Sequence, residues 1–503
     1  MSDERRVALV RAAVPHLGPS RATGRPQFAL VTEGATHVGS AHDLLDAVVD
    51  LEQTEHPRWT WWAAQDVQPF IDAGFAPRRA WDIAEAHRLL HGGWAAEPGL
   101  CWAAAHGLPL GSLPPPVTGD LFAFAAPAEG DPDSPTRPDG HLRPDLEDWL
   151  HDPAHLRAYG GAALTCAERQ RAAAIALSPR LTASVHAESM AAVLAVELHR
   201  DGLPLDRPEI ERLIALSSGP RPTSTADELA ARRTRDLRVL GLVPGRESTD
   251  LRNPLQVREL LGAVGVDVPN TRKWVLGPYR GVHPVVDALL DWRRDERIAT
   301  TYGYRWLDTH VGADDRLRGA WTACDGAGGR MTAANGLHNL PTSLRSGVAA
   351  PPGHVFVRAD LGQIEPRVLA VVSGDAAFAE ASAAADLYAP VAARLGVERP
   401  VAKIAVLAAM YGQRSGAAGE ALKGLERAYP VAMRHLDLAY AAGVRGEPVR
   451  TFGGRLIPTG RFLAGEPIGA NPALDAARRW AVGAPVRFVA ETSVIDRWSQ
   501  AKD

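Results

Sequence analysis

The sequence is poor in cysteine and in long hydrophobic runs, and each of these shortages excludes a class of protein. Its three cysteines, Cys101, Cys166 and Cys324, are odd in number and widely spaced, which fits neither a disulfide framework nor a zinc site. No run of about 18 apolar residues occurs, and the N-terminal MSDERRVALV carries charges where a secretory signal needs an apolar core. We therefore expect a cytoplasmic protein with no membrane partner.

The chain also lacks an excess of positive charge. Its 55 basic and 59 acidic residues give a formal net charge of −4, so a nucleic-acid site would have to arise from local clustering. Almost all basic residues are arginines, since the only lysines are Lys273, Lys403, Lys423 and Lys502. Because lysine is rare in this sequence, a lysine at a motif position is more indicative of a functional role.

The residue pattern predicts a multidomain α/β protein with a helical middle. The N-terminal α/β domain is predicted to span residues 1–178. Residues 1 to about 125 mix short β-like runs with tryptophans, as in RWTWW, and residues 125–145 are rich in Pro, Gly and Asp, which predicts a linker or a long surface loop. Residues 179–320 carry apolar side chains at three- and four-residue spacing, which predicts helices. Residues 321–503 return to an α/β pattern.

Two carboxylates accompany one predicted strand in this last region. The apolar run HVFV predicts a strand buried on one or both faces, Asp360 stands at its end, and Glu365 follows at the start of a predicted helix. Carboxylates are rarely buried without a partner, which indicates a functional site. A helix N-cap is the alternative role for Asp360.

A nearby segment, ERPVAKIAVLAAMYG, predicts a helix with one chemically distinct face. Its proline suits the first helical turn, which places Arg399 at the N-terminus. Lys403, Leu407 and Tyr411 follow at steps of four, so the four side chains form one winding stripe about 18 Å long. The cationic end matches a triphosphate and the apolar end matches a base. A solvated helix face is the alternative.

Together, these two elements predict metal-assisted phosphoryl transfer. In this interpretation, Mg²⁺ bridges Asp360 and the phosphates of a nucleotide bound to the helix stripe.

Four segments, in the order expected, resemble the motifs of the family A DNA polymerases. DLGQIEPRVLAVVSGD resembles motif A, and RPVAKIAVLAAMYG resembles motif B, the fingers helix that receives the incoming nucleotide. GRMTAANGLHNLP is similar to the TGRLSS segment with its closing LQNIP, and RTFGGRLIP is similar to the TLLGRRR stretch. The resemblance covers roughly residues 184–503 and is greatest to the bifunctional 3′-5′ exonuclease/DNA polymerase type. It implies a right-hand fold with a helical thumb, residues 179–320, and palm and fingers, residues 321–503.

The resemblance implies roles for individual residues. Asp360 matches the first metal-binding aspartate, and Glu365 matches the glutamate that fills the space a ribose 2′-OH would need. Lys403 matches a phosphate ligand and the proton donor to the leaving pyrophosphate. The other nucleotide-binding residues implied are Arg399, Leu407, Tyr411, Gln363 and Tyr388, and the DNA-binding residues implied are Arg330, Asn339, Gly412 and Arg455. Mg²⁺ is the implied cofactor, dNTPs and primer-template DNA are the implied substrates, and the implied state is a monomer.

The chain departs from the family pattern at several positions. Leu407 stands where the family has an aromatic ring, Tyr388 where it has a histidine, and His338 where it has a glutamine. No His-Asp-Glu follows Gly412, so the aspartate that completes the two-metal site is not found. His435 and Asp437, on a predicted helix, are not expected to replace it.

Two alignments of the C-terminal tail stay open. In one, DAARRWAVGAPVRFVAE is the helix before the missing hairpin, and in the other APVRFVAETSVIDRWSQAKD is the family's last strand. Alternating β-branched and aromatic residues favour the strand. That alignment implies that a palm segment is missing between about residues 461 and 470.

The N-terminal region resembles the family's 3′-5′ exonuclease domain less completely. WAAQDVQPFIDAGFAPRRAWDIAEAHRLLHGG resembles the second exonuclease motif, with Asp82 at its acidic position, whereas the Asp-x-Glu pair of the first motif is not evident and AYGGAALTC only echoes the third. Two-metal hydrolysis needs about four converging carboxylates, so we expect an inactive exonuclease-like domain.

The resemblance therefore implies a template-directed DNA polymerase acting in DNA replication and repair. Without motif C, its polymerase chemistry is expected to be slow or lost. A non-catalytic DNA- or nucleotide-binding remnant is the second hypothesis, and a surviving exonuclease is the third.

Overall fold

The computed structural model describes residues 6–11, 27–113, 130–324, 328–412, 418–460 and 489–500, with the side chains of 418–421 and 489–491 excepted. The chain divides into two compact units, one formed by residues 1–200, 321–332 and 360–491, the other by residues 201–320, 333–359 and 492–503. The predicted α/β class is confirmed. The three predicted domain ranges stay predictions.

The first unit begins with a five-stranded mixed sheet in the order β3-β2-β1-β4-β5. The central strand β1 runs parallel to β4 and antiparallel to β2. The elements up to residue 201 are β1 Arg6–Arg11, β2 Gln27–Val31, β3 Thr36–Ser40, α1 Ala41–Thr54, β4 Arg58–Trp61, α2 Gln68–Asp72, β5 Ala80–Asp82, α3 Ile83–His91, α4 Pro98–His106, α5 Leu146–Trp149, α6 Pro153–Leu177 and α7 Pro179–Asp201.

Helices cover both faces of this sheet. Val7 and Leu9 of β1 enter one hydrophobic core, whereas Ala8 and Val10 enter another on the opposite face. Because both faces of β1 are buried, its sequence is a continuous apolar run from Val7 to Val10 and does not alternate between apolar and polar residues. On one face α6 lies against the strands at Gly160, where an added Cβ would stand 2.5 Å from a Val31 methyl group.

Two features of this unit bear on the sequence predictions. Leu142, in the predicted linker, is 2% exposed and belongs to the core, so this part of the loop packs on the unit. Among the described helices, α7 alone has the length and composition of a membrane span, and half of its apolar stretch is buried. Core helices meet the same criteria.

The second unit is mainly helical. Its elements are β6 Leu203–Pro204, α8 Arg207–Ser218, α9 Thr225–Leu240, α10 Pro254–Ala263, α11 Lys273–Leu276, α12 Pro284–Thr301, α13 Tyr304–His310 and β7 Arg316–Leu317, with β6 antiparallel to β7. The apolar positions of α9, α10 and α12 form one core. The helical middle region predicted from the sequence is confirmed.

The rest of the chain consists of short strands and a helical group. Its elements are β8 Trp321–Thr322, β9 Thr332–Ala333, β10 Phe356–Gly362, α14 Ile364–Ser373, α15 Ala376–Ala381, α16 Tyr388–Leu395, α17 Arg399–Met410, α18 Ala418–Ala428, α19 Pro430–Val444, β11 Val449–Arg450, β12 Leu456–Ile457 and β13 Val489–Ile495. Helices α14 to α19 share a core. The buried Asp375 carboxylate accepts hydrogen bonds from the first turns of both α15 and α19.

The structure corrects one prediction about the strand beside Asp360. Asp360 lies within β10, two residues before its end, and the strand is largely exposed, with Val357 at 69%. In the described part of the chain β10 pairs only with β13, and the neighbouring Val355 and Leu361 are exposed as well. The predicted helix that begins beside Glu365 is confirmed as α14.

The tail forms a strand where the structure describes it. Strand β13, Val489–Ile495, agrees with the alignment that places the family's last strand here. Residues 461–488, which hold the predicted junction of the missing palm segment, lie outside the described residues.

Candidate nucleotide-binding site

Helix α17 presents the predicted stripe on its exposed side. It begins at Arg399, with Pro400 in its first turn, as the sequence predicts. Its apolar residues Ala402, Ala405, Val406, Ala408 and Met410 are buried in the helical core. Arg399, Lys403 and Tyr411 are exposed and Leu407 is half-buried, so a cationic start and an apolar-aromatic end share one accessible face.

The aromatic end of this stripe is tied to motif A. The Tyr411 hydroxyl donates to both Glu365 carboxylate oxygens, at 2.8 and 3.0 Å, and Arg330 donates to the same carboxylate at 3.4 Å. Partial burial is the larger cause, and the hydrogen bond to Glu365 the smaller cause, of a raised pKa of Tyr411. The hydroxyl therefore keeps its proton and remains a donor. The structure therefore brings together three residues that the sequence places in three separate motifs.

The cationic end is tied to a residue that the sequence analysis missed. Arg399 donates to Asp386 through Nε at 2.5 Å and through Nη2 at 3.1 Å. Gln363 of motif A donates to the same carboxylate at 2.9 Å. The pKa of Asp386 is lowered, mainly because its carboxylate accepts hydrogen bonds from Arg399. The hydrogen bonds from the Tyr388 N–H and from Gln363 lower it further. The position of Asp386 two residues before Tyr388 is the only sequence signal that could have revealed it.

Tyr388 lies beneath this ion pair. Its side chain is 4% exposed, and the Arg399 guanidinium stands 5.7 Å from the centre of its ring. Burial raises the pKa of Tyr388, so the ring is a neutral surface for the cation. An aromatic ring and a guanidinium at this distance attract each other, which helps to hold Arg399 over α16.

Lys403 and Asp360, the two residues predicted to take part in catalysis, are both exposed. Lys403 has no ion-pair partner in the described part of the chain. Asp360 is not part of a metal-binding cluster, because no three His, Cys, Asp or Glu side chains among the described residues are close enough to hold a metal ion. The described residues by themselves therefore do not supply the ligands of a two-metal Mg²⁺ site.

The remaining predicted DNA contacts have different surroundings. Asn339, in the second unit, has an exposed side chain, and its backbone carbonyl accepts from Arg297 and Tyr302. Gly412 is exposed just after α17 and has a φ of 69°, which favours glycine. Both positions are accessible.

The prediction that Arg455 contacts DNA is wrong. Its side chain is 2% exposed, because the segment from β11 to β12 packs against α7. Arg455 Nη1 donates to Cys324 Sγ at 2.9 Å, and Nη2 stands 3.5 Å from the buried Glu188 carboxylate. Arg455 therefore contacts buried side chains in the interior of the first unit.

Asp82, the acidic residue of the exonuclease-like motif, is also buried. It is the last residue of β5 and the N-cap of α3. Its carboxylate accepts from Trp61 Nε1 at 3.0 Å and from the backbone N–H groups of Ala64 at 2.7 Å and Glu85 at 2.9 Å. Burial raises its pKa to about 6. Both carboxylate oxygens of Asp82 are therefore engaged in structural hydrogen bonds.

One family model matches the part of the chain that holds α14 and α17. Residues 248–428 match the family model DNA polymerase family A. The chain is also 31% identical to DNA polymerase I of Chloroflexus aurantiacus over 247 residues, which is 43% of this chain and 25% of that protein. The chain is therefore similar to family A DNA polymerases over residues 248–428 and over the segment that this relative matches.

Two further relatives extend the comparison. Thermostable DNA polymerase I of Thermus filiformis is 31% identical over 116 residues, 21% of this chain and 14% of that protein. The chain thus spans a quarter or less of the length of these curated relatives. The POL domain of Pol1 from M. smegmatis, solved in complex with DNA primer-template and dNTP, has a similar fold, with a TM-score of 0.60 and 18% identity over 96% of this chain and 82% of that domain.

Proposed function

We propose that this chain is a template-directed DNA polymerase of family A that binds dNTPs at α17 on a primer-template. The observation that carries the proposal is the exposed stripe of Arg399, Lys403, Leu407 and Tyr411, whose aromatic end contacts Glu365 of motif A. This stripe gives a nucleotide a cationic surface for its phosphates and an apolar surface for its base.

Each part of the stripe has a distinct task in this proposal. Arg399 offers hydrogen bonds to the phosphates, and the exposed Lys403 ammonium can give a proton to the leaving pyrophosphate. Tyr411 and Arg330 hold the Glu365 carboxylate in place, so that it fills the space that a ribose 2′-OH would need. The sugar is then selected by a fixed carboxylate.

The chemical step depends on a metal site that the described residues do not complete. Mg²⁺ is the cofactor expected for a family A polymerase, and no group of three metal-ligating side chains surrounds Asp360 in the described part of the chain. Each 1.4 kcal/mol of lost transition-state stabilisation costs about tenfold in rate. We therefore propose that primer extension is orders of magnitude slower than a complete site would allow.

A second function, nucleotide and DNA binding without chemistry, is favoured by the same lack of a metal-ligand cluster in the described residues. Primer extension by the purified chain with Mg²⁺ or Mn²⁺ separates the two. Slow extension that Asp360→Asn and Lys403→Ala both abolish supports the polymerase. Binding of dNTP and primer-template without any extension supports the second function. Fast Mg²⁺-dependent extension would contradict the proposed defect and show that another carboxylate completes the site.

Binding to DNA is proposed to persist whatever the catalytic status. The affinity should fall as salt rises, in proportion to the phosphates that the protein neutralises. A gel shift on primer-template measures this, and no complex at low salt would count against the proposal.

We also propose that the exonuclease-like region is inactive, because the Asp82 carboxylate is buried and accepts three hydrogen bonds. Metal-dependent release of nucleotides from labelled single-stranded DNA, lost in Asp82→Asn, would contradict this. The roles in replication and repair, the monomeric state and the cytoplasmic location stay predictions.

A further inference from the structure

Asp386 holds Arg399 by one edge of its guanidinium group. The two donors to the carboxylate, Nε and Nη2, lie on the same side of the planar fork. The opposite edge, formed by Nη1 and the second hydrogen of Nη2, has no acceptor among the described residues. Arg399 therefore combines an ordered side chain with a free bidentate edge.

Asp386 is itself held by a partly buried hydrogen-bond network. Its Oδ1 accepts from Gln363 Nε2 at 2.9 Å and from the Tyr388 N–H at 3.2 Å, and the Leu387 N–H donates to Gln363 Oε1 at 2.7 Å. The fully buried Arg367 donates to the carbonyls of Ala384 and Ala385, just before Asp386. The carboxylate thus has a defined position, although its side chain is 34% exposed.

We propose that Asp386 is a positioning residue for the incoming nucleotide, because it orders Arg399 so that the free edge of the guanidinium meets the triphosphate. The inference rests on the proposed dNTP site and assigns a residue that none of the sequence motifs indicated. An exposed arginine loses side-chain entropy when a ligand orders it, and a side chain that is ordered in advance avoids that loss on binding.

An opposite role is also chemically reasonable, and the two roles give opposite results. If Asp386 only competed with phosphate for Arg399, its removal would strengthen nucleotide binding. The geometry favours positioning, because the carboxylate occupies one edge of the fork and leaves the other available for bidentate binding of phosphate.

The main test compares dATP with inorganic tripolyphosphate as ligands of the full chain, by isothermal titration calorimetry. We expect Asp386→Asn to weaken both affinities by about three- to tenfold, and Asp386→Glu to recover part of the loss. In an Arg399→Ala background, Asp386→Asn should have no further effect. Unchanged or tighter binding by Asp386→Asn would overturn the inference, and so would a further loss in the Arg399→Ala background, which would indicate general damage to the site.

A second measurement needs no nucleotide. Phenylglyoxal modifies accessible guanidinium groups, and peptide mass spectrometry reports the rate for each arginine. We expect faster modification of Arg399 in Asp386→Asn, while Arg212, held by Glu209 through the same Nε and Nη2 edge, keeps its rate. Equal Arg399 rates in both proteins would overturn the inference. If the unsubstituted chain binds neither ligand, the proposed dNTP site is refuted and the inference falls with it, whereas binding that is intact and insensitive to Asp386 refutes only the inference.

Discussion

Asp82 and Asp360 both belong to strands of the protein, and their surroundings differ completely. Asp82 ends β5, is 1% exposed and accepts three hydrogen bonds from its own unit. Asp360 lies in the largely exposed β10, where water and substrate can reach it. A carboxylate beside a strand is therefore a structural anchor in one region and a candidate functional group in the other, and burial decides between them.

Two arginines show the same contrast. Arg455 forms its ion pair with Glu188 in the interior, where both side chains are less than 10% exposed. Arg399 forms its pair with Asp386 at the surface, where solvent screens the charges and half of the arginine side chain is accessible. The buried pair should therefore matter for stability, and the exposed pair for binding.

The largest expected effect is the loss of the buried arginine. Arg455→Ala leaves the Glu188 carboxylate buried without its cation, and we expect the free energy of unfolding to fall by about 3–5 kcal/mol. Chemical denaturation measures this. The double variant Arg455→Met with Glu188→Gln should recover much of the loss, because it removes both charges. Arg399→Ala is the exposed control, and an equal loss of stability in that variant would erase the contrast.

The next effect concerns Asp82. Asp82→Ala removes the acceptor of three N–H groups, and we expect a loss of about 2–4 kcal/mol in unfolding free energy. The matched variant Asp360→Ala should leave the denaturation midpoint almost unchanged. If the two variants were equally stable, the carboxylate of Asp82 would not be the anchor that its hydrogen bonds indicate.

A third effect depends on pH. Burial raises the pKa of Glu85 from 4.5 to about 8, so between these values the folded chain holds a proton that the unfolded chain has released. Stability should therefore fall as pH rises from about 5 to about 8, by up to a few kcal/mol, and should level off above that range. Glu85→Gln should flatten this dependence in denaturation experiments at several pH values. If the unfolding free energy of Glu85→Gln still fell with rising pH, other titratable groups would be responsible for the pH dependence.

The smallest effect concerns ligand binding at the exposed site. Lys403→Ala removes an accessible ammonium group from the α17 stripe, and we expect dNTP affinity to fall by about tenfold without a change in stability. Lys423→Ala, which removes a lysine outside the stripe, is the control. Equal dNTP affinity of the two variants in calorimetry would mean that the stripe is only a solvated helix face.

The sequence determined the local features of the site. The proline beside Arg399 and the four-residue spacing up to Tyr411 were enough to predict the start and the exposed face of α17, because both depend on neighbouring residues. The residues of the motif A and motif B segments, and their order along the chain, were enough to indicate the resemblance to family A polymerases. The helical middle region was predictable for the same local reason.

The tertiary structure decided which charged residues are buried and which are paired. Arg455 was predicted to contact DNA, yet it is buried against Cys324, which lies 131 residues earlier in the chain. The exposure of β10 and the pairing of Asp386 with Arg399 were equally absent from the local pattern. Burial and charge pairing depend on residues that are distant in sequence, and a carboxylate or guanidinium acts as an anchor or as a binding group according to what folding places beside it.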